Sequence, residues 1–338
     1  FINDTMKISK FKKNIVVYGN TSEKKKFNKN YINLNYNKSI IKSSSKSYIL
    51  EFLKKEKKTN SDIIEFHNRP SYLKYLTNLK YAKKVLYFHN DPLEMNGSKL
   101  VNDRIFLLEN LDKIIFNSEW SKSQFIKNLS NEYIYSNKLQ IIKQSIDPKK
   151  INFQNKKKIV TFVGKLNSAK GYDIFGKAII KILNKYPDWK SNVIGDEPRE
   201  EFNFAHNNLN ILGFKNHSEV LLNFEKSSIA VVCSRWNEPF GRTSLEASSR
   251  GCGVIISNKG GLPETITNGI ILKNLSVNYL FREIENLIVN QNLLKKLQKD
   301  SINNFVLTND QISNKIDKCR IESLNLHVNN LKLKNLNS

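Results

Sequence analysis

Short apolar runs alternate along the chain with longer stretches in which apolar residues recur every three or four positions. That alternation is typical of βαβ units, in which parallel strands form one sheet and helices cover its faces. The predicted fold class is therefore α/β. In the first half the pattern predicts strands over 14–18, 63–67, 84–89, 113–117 and 139–143, and helices over 46–57, 71–80, 99–110 and 121–129.

A second series of the same kind follows. It predicts strands over 159–163, 191–194, 209–213, 229–234 and 253–257, helices over 171–185, 219–226 and 243–250, and a short helix after Pro263. The charged segment 147–158 has no apolar periodicity and is interpreted as a linker. With 338 residues and roughly 100–200 residues per domain, we predict a first domain over 1–150, a second over 151–305 and a helical tail over 306–338 that returns to the first domain.

The net charge of the chain indicates which kinds of partner it favours. Lys and Arg number 55 and Asp and Glu 31, which gives a net charge of +24 and favours nucleic acid, an anionic membrane or phosphorylated substrates. The abundant Asn and Lys are equally explained by an AT-rich genome. Three widely spaced cysteines argue against a disulfide framework or a zinc site, and the apolar runs are much shorter than the roughly 20 residues that cross a bilayer.

The segment 233–247, CSRWNEPFGRTSLEA, carries the most chemical information. It places Glu238 and Glu246 on either side of a Pro-Phe-Gly turn that opens a helix, where the amides of Phe240, Gly241 and Arg242 favour anions and sugar oxygens. A carboxylate can accept hydrogen bonds from two neighbouring sugar hydroxyls or from a ribose diol. The letters TSLE at 243–246 equally fit a capping box, in which Glu246 only closes the helix start.

Two loops before helices are candidate anion sites. Gly164, Lys165 and Lys170 lie between a strand and a helix, where two ammonium groups and an amide can converge on a diphosphate. An ordinary loop explains them as well, because neither glycine-rich phosphate motif is present. The segment KGGLPET at 259–265, which contains Gly261, is either a second anion-binding site or an ordinary turn.

Polar residues follow the strands of the first half. His67, His89 and Ser118 lie at the carboxyl ends of three strands, where open α/β sheets bind ligands. His89 can bind a sugar hydroxyl or a phosphate, or move a proton, or it can simply bind the loop backbone. The same alternatives apply to His67.

Taken together, EPFGRTSLE at 238–246, VGKL and KG within 163–171, GGLPE at 260–264, FHNDP at 88–92 and IFNSEW at 115–120 resemble the retaining family-4 glycosyltransferases, glycosyl transferases group 1, of the GT-B fold. The similarity covers roughly residues 60–272. It implies two linked Rossmann-like domains with parallel sheets facing a cleft, the second holding a nucleotide sugar and the first an acceptor.

The resemblance also implies roles. Glu238 would bind the donor sugar, Glu246 the ribose, and Lys165 and Lys170 the diphosphate, so that no metal and no other cofactor is expected. His89 would act catalytically beside Glu238, near the donor hexose or the acceptor hydroxyl. The remaining candidates at the donor site are Gly164, Phe240, Gly241, Arg242 and Thr243, and further candidates are His67, Ser118, Gly213 and Gly261.

The implied activity is hexose transfer from a nucleotide diphosphate sugar to a saccharide or lipid-linked glycan, with retention of anomeric configuration, in cell-surface polysaccharide or lipopolysaccharide synthesis. We expect a cytoplasmic protein whose basic surface attaches to the anionic inner leaflet. The alternatives are an epimerase or phosphorylase of the same fold, and a basic nucleic-acid-binding protein. Scattered basic residues and the lack of a nucleic-acid module argue against nucleic acid as a partner.

The sequence departs from the family at two places. Position 165 is Lys where Arg is common, which keeps the charge without the bidentate fork. Family members also open with a strand and a glycine-rich loop before a strand like that over 14–18, whereas here this strand comes first. We therefore expect the first domain to lack about one βα unit.

Overall fold

The computed structural model describes residues 1–20, 30–34 and 44–336, with side chains through residue 324. The chain forms two compact units. One consists of residues 1–143 and the chain from Asn309 onward, and the other spans residues 144–308. The divisions differ from the predicted boundaries 150/151 and 305/306, which stay a prediction, and the last two residues of the predicted tail lie outside the described part.

The first unit alternates strands and helices after a short opening helix. In chain order its elements are α1 (Ile2–Ile8), β1 (Val17–Gly19), β2 (Tyr31–Asn33), α2 (Ser44–Thr59), β3 (Ile63–His67), α3 (Leu73–Leu76), β4 (Lys83–Phe88), α4 (Val101–Asn110), β5 (Lys113–Phe116), α5 (Glu119–Ile126), α6 (Asn131–Ile134) and β6 (Leu139–Ile141).

A four-stranded parallel sheet in the order β3-β4-β5-β6 forms the core of this unit. Its central strands are apolar on both faces, as strands covered on both sides must be. Phe88 and Phe116 stack with their centroids 5.6 Å apart and contact Phe125. The predicted helix over 71–80 is shorter than expected, because the chain turns after α3 to feed β4.

A separate parallel pair, β1 and β2, aligns Val17 with Tyr31. The described part of the unit thus holds six strands in two sheets. That the unit lacks about one βα unit stays a prediction.

The second unit is a longer α/β series. Its elements are β7 (Lys157–Val163), α7 (Tyr172–Lys185), β8 (Lys190–Ile194), β9 (Leu209–Ile211), α8 (His217–Lys226), β10 (Ser227–Val232), α9 (Arg242–Ser248), β11 (Gly253–Ser257), β12 (Ile270–Leu272), α10 (Val277–Val289) and α11 (Gln291–Asn303). The predicted short helix after Pro263 is a 3₁₀ turn over Leu262–Thr265.

The six strands of this unit are parallel and lie in the order β12-β11-β10-β7-β8-β9. From β7 the chain winds outward through β8 and β9, and it then returns to place β10 on the other side of β7. The strand order therefore reverses between β7 and β10. In open α/β sheets such a switch point, at the carboxyl ends of the strands, is where ligands bind.

The predicted linker is packed into the second unit. Lys156 donates from Nζ to the carbonyl oxygens of Phe224, Ser227 and Arg250, at 2.9, 2.8 and 2.7 Å. Burial lowers the pKa of Lys156. These contacts fix the chain immediately before β7, so this end of the segment is structural.

The last helix, α12 (Asn309–Leu336), belongs to the first unit. Asp317 accepts a hydrogen bond of 2.7 Å from the Ser9 hydroxyl, and Arg320 donates to both carboxylate oxygens of Glu65 at 2.8 and 2.7 Å. Among the described residues no helix is long and apolar enough to span a membrane.

Candidate functional site

Two loops meet at the switch point of the second unit. The loop after β7 carries Lys170, and the loop after β10 carries Glu238. The Lys170 ammonium forms an ion pair with Glu238 Oε1. The two side chains are 32% and 14% exposed, so the pair is partly shielded from water yet open to a ligand. The structure therefore brings together a cation and a carboxylate from candidate motifs 68 residues apart.

The two loops are fastened to each other by backbone contacts. The amides of Arg235 and Trp236 both donate to the carbonyl oxygen of Ala169, at 2.9 and 3.1 Å. Arg235 also binds Asp173 through two guanidinium nitrogens, at 2.5 and 2.7 Å, which lowers the pKa of Asp173. Sequence reasoning missed this clamp, which holds Lys170 and Glu238 in register.

The segment with Gly261 supports the backbone of Glu238. The Gly261 amide donates to the Glu238 carbonyl oxygen at 2.6 Å, so this amide is already used within the protein. At Gly260, where φ is +59°, a Cβ would lie 2.2 Å from the same oxygen. A side chain at position 260 would therefore displace Glu238.

The turn after Glu238 combines a buried anchor with accessible backbone. The Phe240 side chain is buried against Ile146 and Leu245, so only its backbone can face a ligand. Gly241, with φ of +105°, is the N-cap of α9, and a Cβ there would lie 2.4 Å from the Leu262 side chain. Thr243 is partly exposed in the first turn of α9.

The Glu246 carboxylate contacts one side chain from its own helix, α9, and one from α8. Its Oε1 accepts hydrogen bonds from Arg242 Nε at 3.1 Å and lies 3.0 Å from His217 Nε2, and the Glu246 residue is only 7% exposed. The capping-box interpretation is wrong, because Gly241 is the N-cap and has no side-chain cap, while the Glu246 carboxylate binds Arg242 and His217 instead. The i, i+4 spacing of Arg242 and Glu246 signalled one of these contacts; nothing in the sequence signalled His217.

The predicted donor residues Gly164 and Lys165 follow β7, and the further candidate Gly213 follows β9. Gly164 donates its amide to Ile194 at 3.0 Å, and Gly213 accepts from the Gly195 amide at 3.0 Å. The Gly164 amide is thus engaged in the sheet. A Cβ at Gly164 would lie 4.0 Å from Lys170 Cγ, so the Lys170 side chain passes over this glycine. Lys165 is exposed beside it.

In the first unit, His67 and His89 form a stacked, hydrogen-bonded pair. His67 ends β3 and His89 follows β4, the neighbouring strand. The backbone of His89 is fixed on both sides, since its amide donates to Asn68 Oδ1 at 2.7 Å and its carbonyl accepts from Asn117 Nδ2 at 2.8 Å. Asn68 occupies the left-handed region with φ of +54°. This packing orients the His89 ring at the carboxyl edge of the sheet.

The groups packed around His67 restrict its ability to accept a proton. Tyr87 stacks on His67 with centroids 4.5 Å apart. Burial, with a smaller contribution from Arg320, lowers the pKa of His67 to about 3. Ser118 is buried and accepts a hydrogen bond of 2.9 Å from the Ser121 amide as the N-cap of α5.

Within the described residues no group of three or more His, Cys, Asp or Glu side chains is placed to hold a metal ion. The three cysteines are buried and free. Metal-independent chemistry at the donor site stays a prediction, resting on Lys165 and Lys170.

Comparison with known proteins confirms the family resemblance. The model of the family described as "Glycosyl transferases group 1" matches residues 143–304. Spore coat protein SA of Bacillus subtilis is 34% identical over 38% of this chain, an alignment that spans 36% of that protein's length. An uncharacterized 41.2 kDa protein in the cps region of Klebsiella pneumoniae is 27% identical over 68% of this chain and 69% of its own length.

Solved structures share the fold at low identity. Anabaena HepE in complex with UDP has a TM-score of 0.70 and 16% identity, over 86% of this chain and 85% of that one. A glycosyltransferase from Rickettsia africae has a TM-score of 0.68 and 22% identity, over 87% and 85% of the two chains. The predicted fold class, α/β of GT-B type with parallel sheets in two Rossmann-like units, is confirmed.

Proposed function

We propose that the protein transfers a hexose from a nucleotide diphosphate sugar to a saccharide or lipid-linked glycan, because the glycosyl transferases group 1 model matches residues 143–304. Transfer retains the anomeric configuration, and the product contributes to cell-surface polysaccharide or lipopolysaccharide. Two comparisons support this direction: the Klebsiella relative is named for a cps region, and HepE was also solved in complex with UDP-glucose.

One observation carries the proposal, namely the ion pair of Lys170 and Glu238 at the switch point of a parallel sheet. A nucleotide diphosphate sugar presents a matching pair, a negative diphosphate next to a hexose rich in hydroxyl donors. Lys170 then neutralises the diphosphate, and Glu238 accepts hydrogen bonds from the hexose. Lys165 adds a second positive charge, and Glu246 accepts from the ribose.

We propose the following exchange of bonds. The bond between the anomeric carbon and the diphosphate oxygen breaks, and the acceptor oxygen bonds to the same face of that carbon. The departing diphosphate takes the proton of the acceptor hydroxyl, and Lys165 and Lys170 stabilise its growing negative charge without a metal ion. His89 is the group of the first unit that we assign to the reacting sugar or the acceptor hydroxyl.

We place the protein in the cytoplasm, attached to the inner membrane surface by basic residues. Helix α2 carries five exposed lysines, while its Glu56 is buried and accepts from the amide of Ser61 at 2.7 Å. Sedimentation with vesicles tests the attachment: vesicles of anionic phosphatidylglycerol should retain the protein at low salt and release it at high salt. Equal binding to neutral phosphatidylcholine vesicles would contradict it.

A panel of nucleotide sugars tests the proposed function. We expect at least one UDP-, GDP- or ADP-hexose to raise the melting temperature, because a ligand that binds only the folded state stabilises it. The matching nucleoside monophosphate, which lacks the diphosphate and the hexose, is the control and should stabilise less. A protein that none of these donors stabilises would overturn the proposal. Conversion of the bound donor into its epimer, or phosphate-dependent cleavage of a glycan, would instead indicate the same-fold alternatives.

A further inference from the structure

A residue outside every motif discussed so far contacts the candidate ribose carboxylate. His217 is the first residue of α8, and its Nε2 lies 3.0 Å from Glu246 Oε1. Arg242 approaches the same oxygen from the first turn of α9, through Nε and Nη2, each at 3.1 Å. Two helices therefore supply donors to one carboxylate oxygen.

This arrangement leaves the second oxygen of Glu246 available. Among the described residues Glu246 Oε2 has no hydrogen-bond partner, and the residue is 7% exposed. The terminal torsion of a glutamate is broad, so a carboxylate held at one point can still rotate. Donors from two directions on Oε1 stop that rotation and keep Oε2 fixed as an acceptor.

Helix α8 does not need His217 for its own stability. Its start is already closed by a capping box, in which Asn216 Oδ1 accepts from the Glu219 amide at 3.1 Å and Glu219 Oε2 accepts from the Asn216 amide at 3.0 Å. Val220 and Phe224 bury the inner face of the helix. The His217 side chain is 58% exposed, and its ring contacts the Glu246 carboxylate through Nε2.

We propose that His217 is a positioning residue for nucleotide recognition, which together with Arg242 holds Glu246 so that Oε2 accepts a hydrogen bond from a ribose hydroxyl. The inference rests on the proposed function, since it requires a nucleotide at this site. It assigns discrimination between ribonucleotides and deoxyribonucleotides to a contact between α8 and α9. Helix α8 follows the loop that contains Gly213, one of the further site candidates.

Titration calorimetry with UDP, ADP and GDP, and with their 2′-deoxy and 3′-deoxy counterparts, tests this assignment. The variants are His217→Ala, His217→Gln, which keeps a terminal N–H donor, and Ser218→Ala, an exposed neighbour without contact to Glu246. We expect His217→Ala to weaken the preferred ribonucleotide roughly tenfold while changing at least one deoxy form less than about twofold. His217→Gln should restore most of the lost affinity, and Ser218→Ala should bind nucleotides as the wild type does. All variants should have the melting temperature of the wild type.

The outcomes separate the two claims. Equal loss for the ribo and both deoxy forms, or no loss at all, would overturn the role of His217 and leave the proposed function standing. A wild-type protein that binds none of the three ribonucleotides would overturn the proposed function and this inference with it.

Discussion

The Nδ1 atom of His67 lies 2.9 Å from the Nε2 atom of His89, and the two rings are within 9° of parallel. One of these two nitrogens must donate to the other, so the tautomers of His67 and His89 are coupled. Because burial and Arg320 lower the pKa of His67 to about 3, His67 stays neutral near pH 7. His67 therefore orients His89 without adding charge beside it.

The lowered pKa of His67 predicts a pH-dependent stability. The unfolded chain binds a proton at His67 below about pH 6.5, and the folded protein does not, so the stabilisation is complete above that pH and is lost as the pH falls toward about 3. Between about pH 6.5 and pH 5 we expect His67 to contribute a slope of up to about 1.4 kcal/mol per pH unit to the free energy of unfolding.

Urea denaturation at several pH values measures this slope. The His67→Gln variant should show a flatter dependence than wild type over the same range, while His206→Gln, in the other unit, controls for replacing a histidine. Identical slopes in wild type and His67→Gln would show that His67 does not titrate as its burial requires.

Replacing Glu238 with Gln should separate sugar recognition from diphosphate recognition. The amide keeps the shape but removes the charge, so Lys170 loses its counter-ion while the hexose loses a charged acceptor. We expect UDP to bind the variant as tightly as wild type or more tightly. The additional affinity contributed by the hexose should fall by about 1.5–3 kcal/mol.

Calorimetric titration of UDP and UDP-glucose, or of whichever donor pair the panel selects, gives that difference directly. Glu201→Gln, an exposed carboxylate of the same unit, is the matched control. If the variant lost affinity for the diphosphate and the sugar nucleotide in equal measure, Glu238 would be a structural residue.

Phe214 provides a test of base recognition. This side chain follows Gly213 at the end of β9 and is 75% exposed, which is unusual for a phenylalanine. If its ring stacks on the nucleobase, Phe214→Ala should weaken nucleotide binding by about 1–3 kcal/mol and Phe214→Tyr should preserve it. Leu222→Ala, at an exposed apolar position of α8, should leave the dissociation constant unchanged. Wild-type affinity in Phe214→Ala would exclude stacking.

Metal removal tests the role given to the lysines. If Lys165 and Lys170 neutralise the leaving diphosphate, sugar transfer should continue at an unchanged rate after dialysis against EDTA, and added Mg²⁺ or Mn²⁺ should not increase it. A rate that falls on EDTA treatment and returns with Mg²⁺ or Mn²⁺ would contradict the metal-independent assignment.

The sequence predicted the central strands well because they are buried on both faces. The prediction over 253–257 coincides with β11 (Gly253–Ser257), and that over 113–117 differs from β5 by one residue. The three-residue strands β2 and β12 were missed, since a short, partly exposed run has no distinctive period. The segment 147–158 was predicted to be a linker because its lysines suggest contact with solvent. Lys156 instead donates a hydrogen bond to a backbone carbonyl group within the second unit.

The candidate site was predictable in its parts and not in its contacts. Glu238 and Lys170 were candidates because they lie in loops after strands and in motifs that resemble the family's, but their pairing joins positions 68 residues apart. His217 and Glu246 are 29 residues apart, and only the packing of α8 on α9 brings them together. Sequence periods report which face of an element is buried, and they contain no information about which loops meet.

Sugar transfer itself tests the central claim most directly. Wild type, Lys170→Gln and Glu238→Gln are incubated with the donor that binds best and with a panel of saccharide and lipid-linked acceptors, and the acceptor mass, the released nucleoside diphosphate and the anomeric configuration of the product are measured. We predict one hexose added per diphosphate released, with the donor configuration retained, and a rate lower by at least about 100-fold in both variants. Undiminished transfer by both variants, or no transfer by a wild-type protein that binds the donor, would contradict the account.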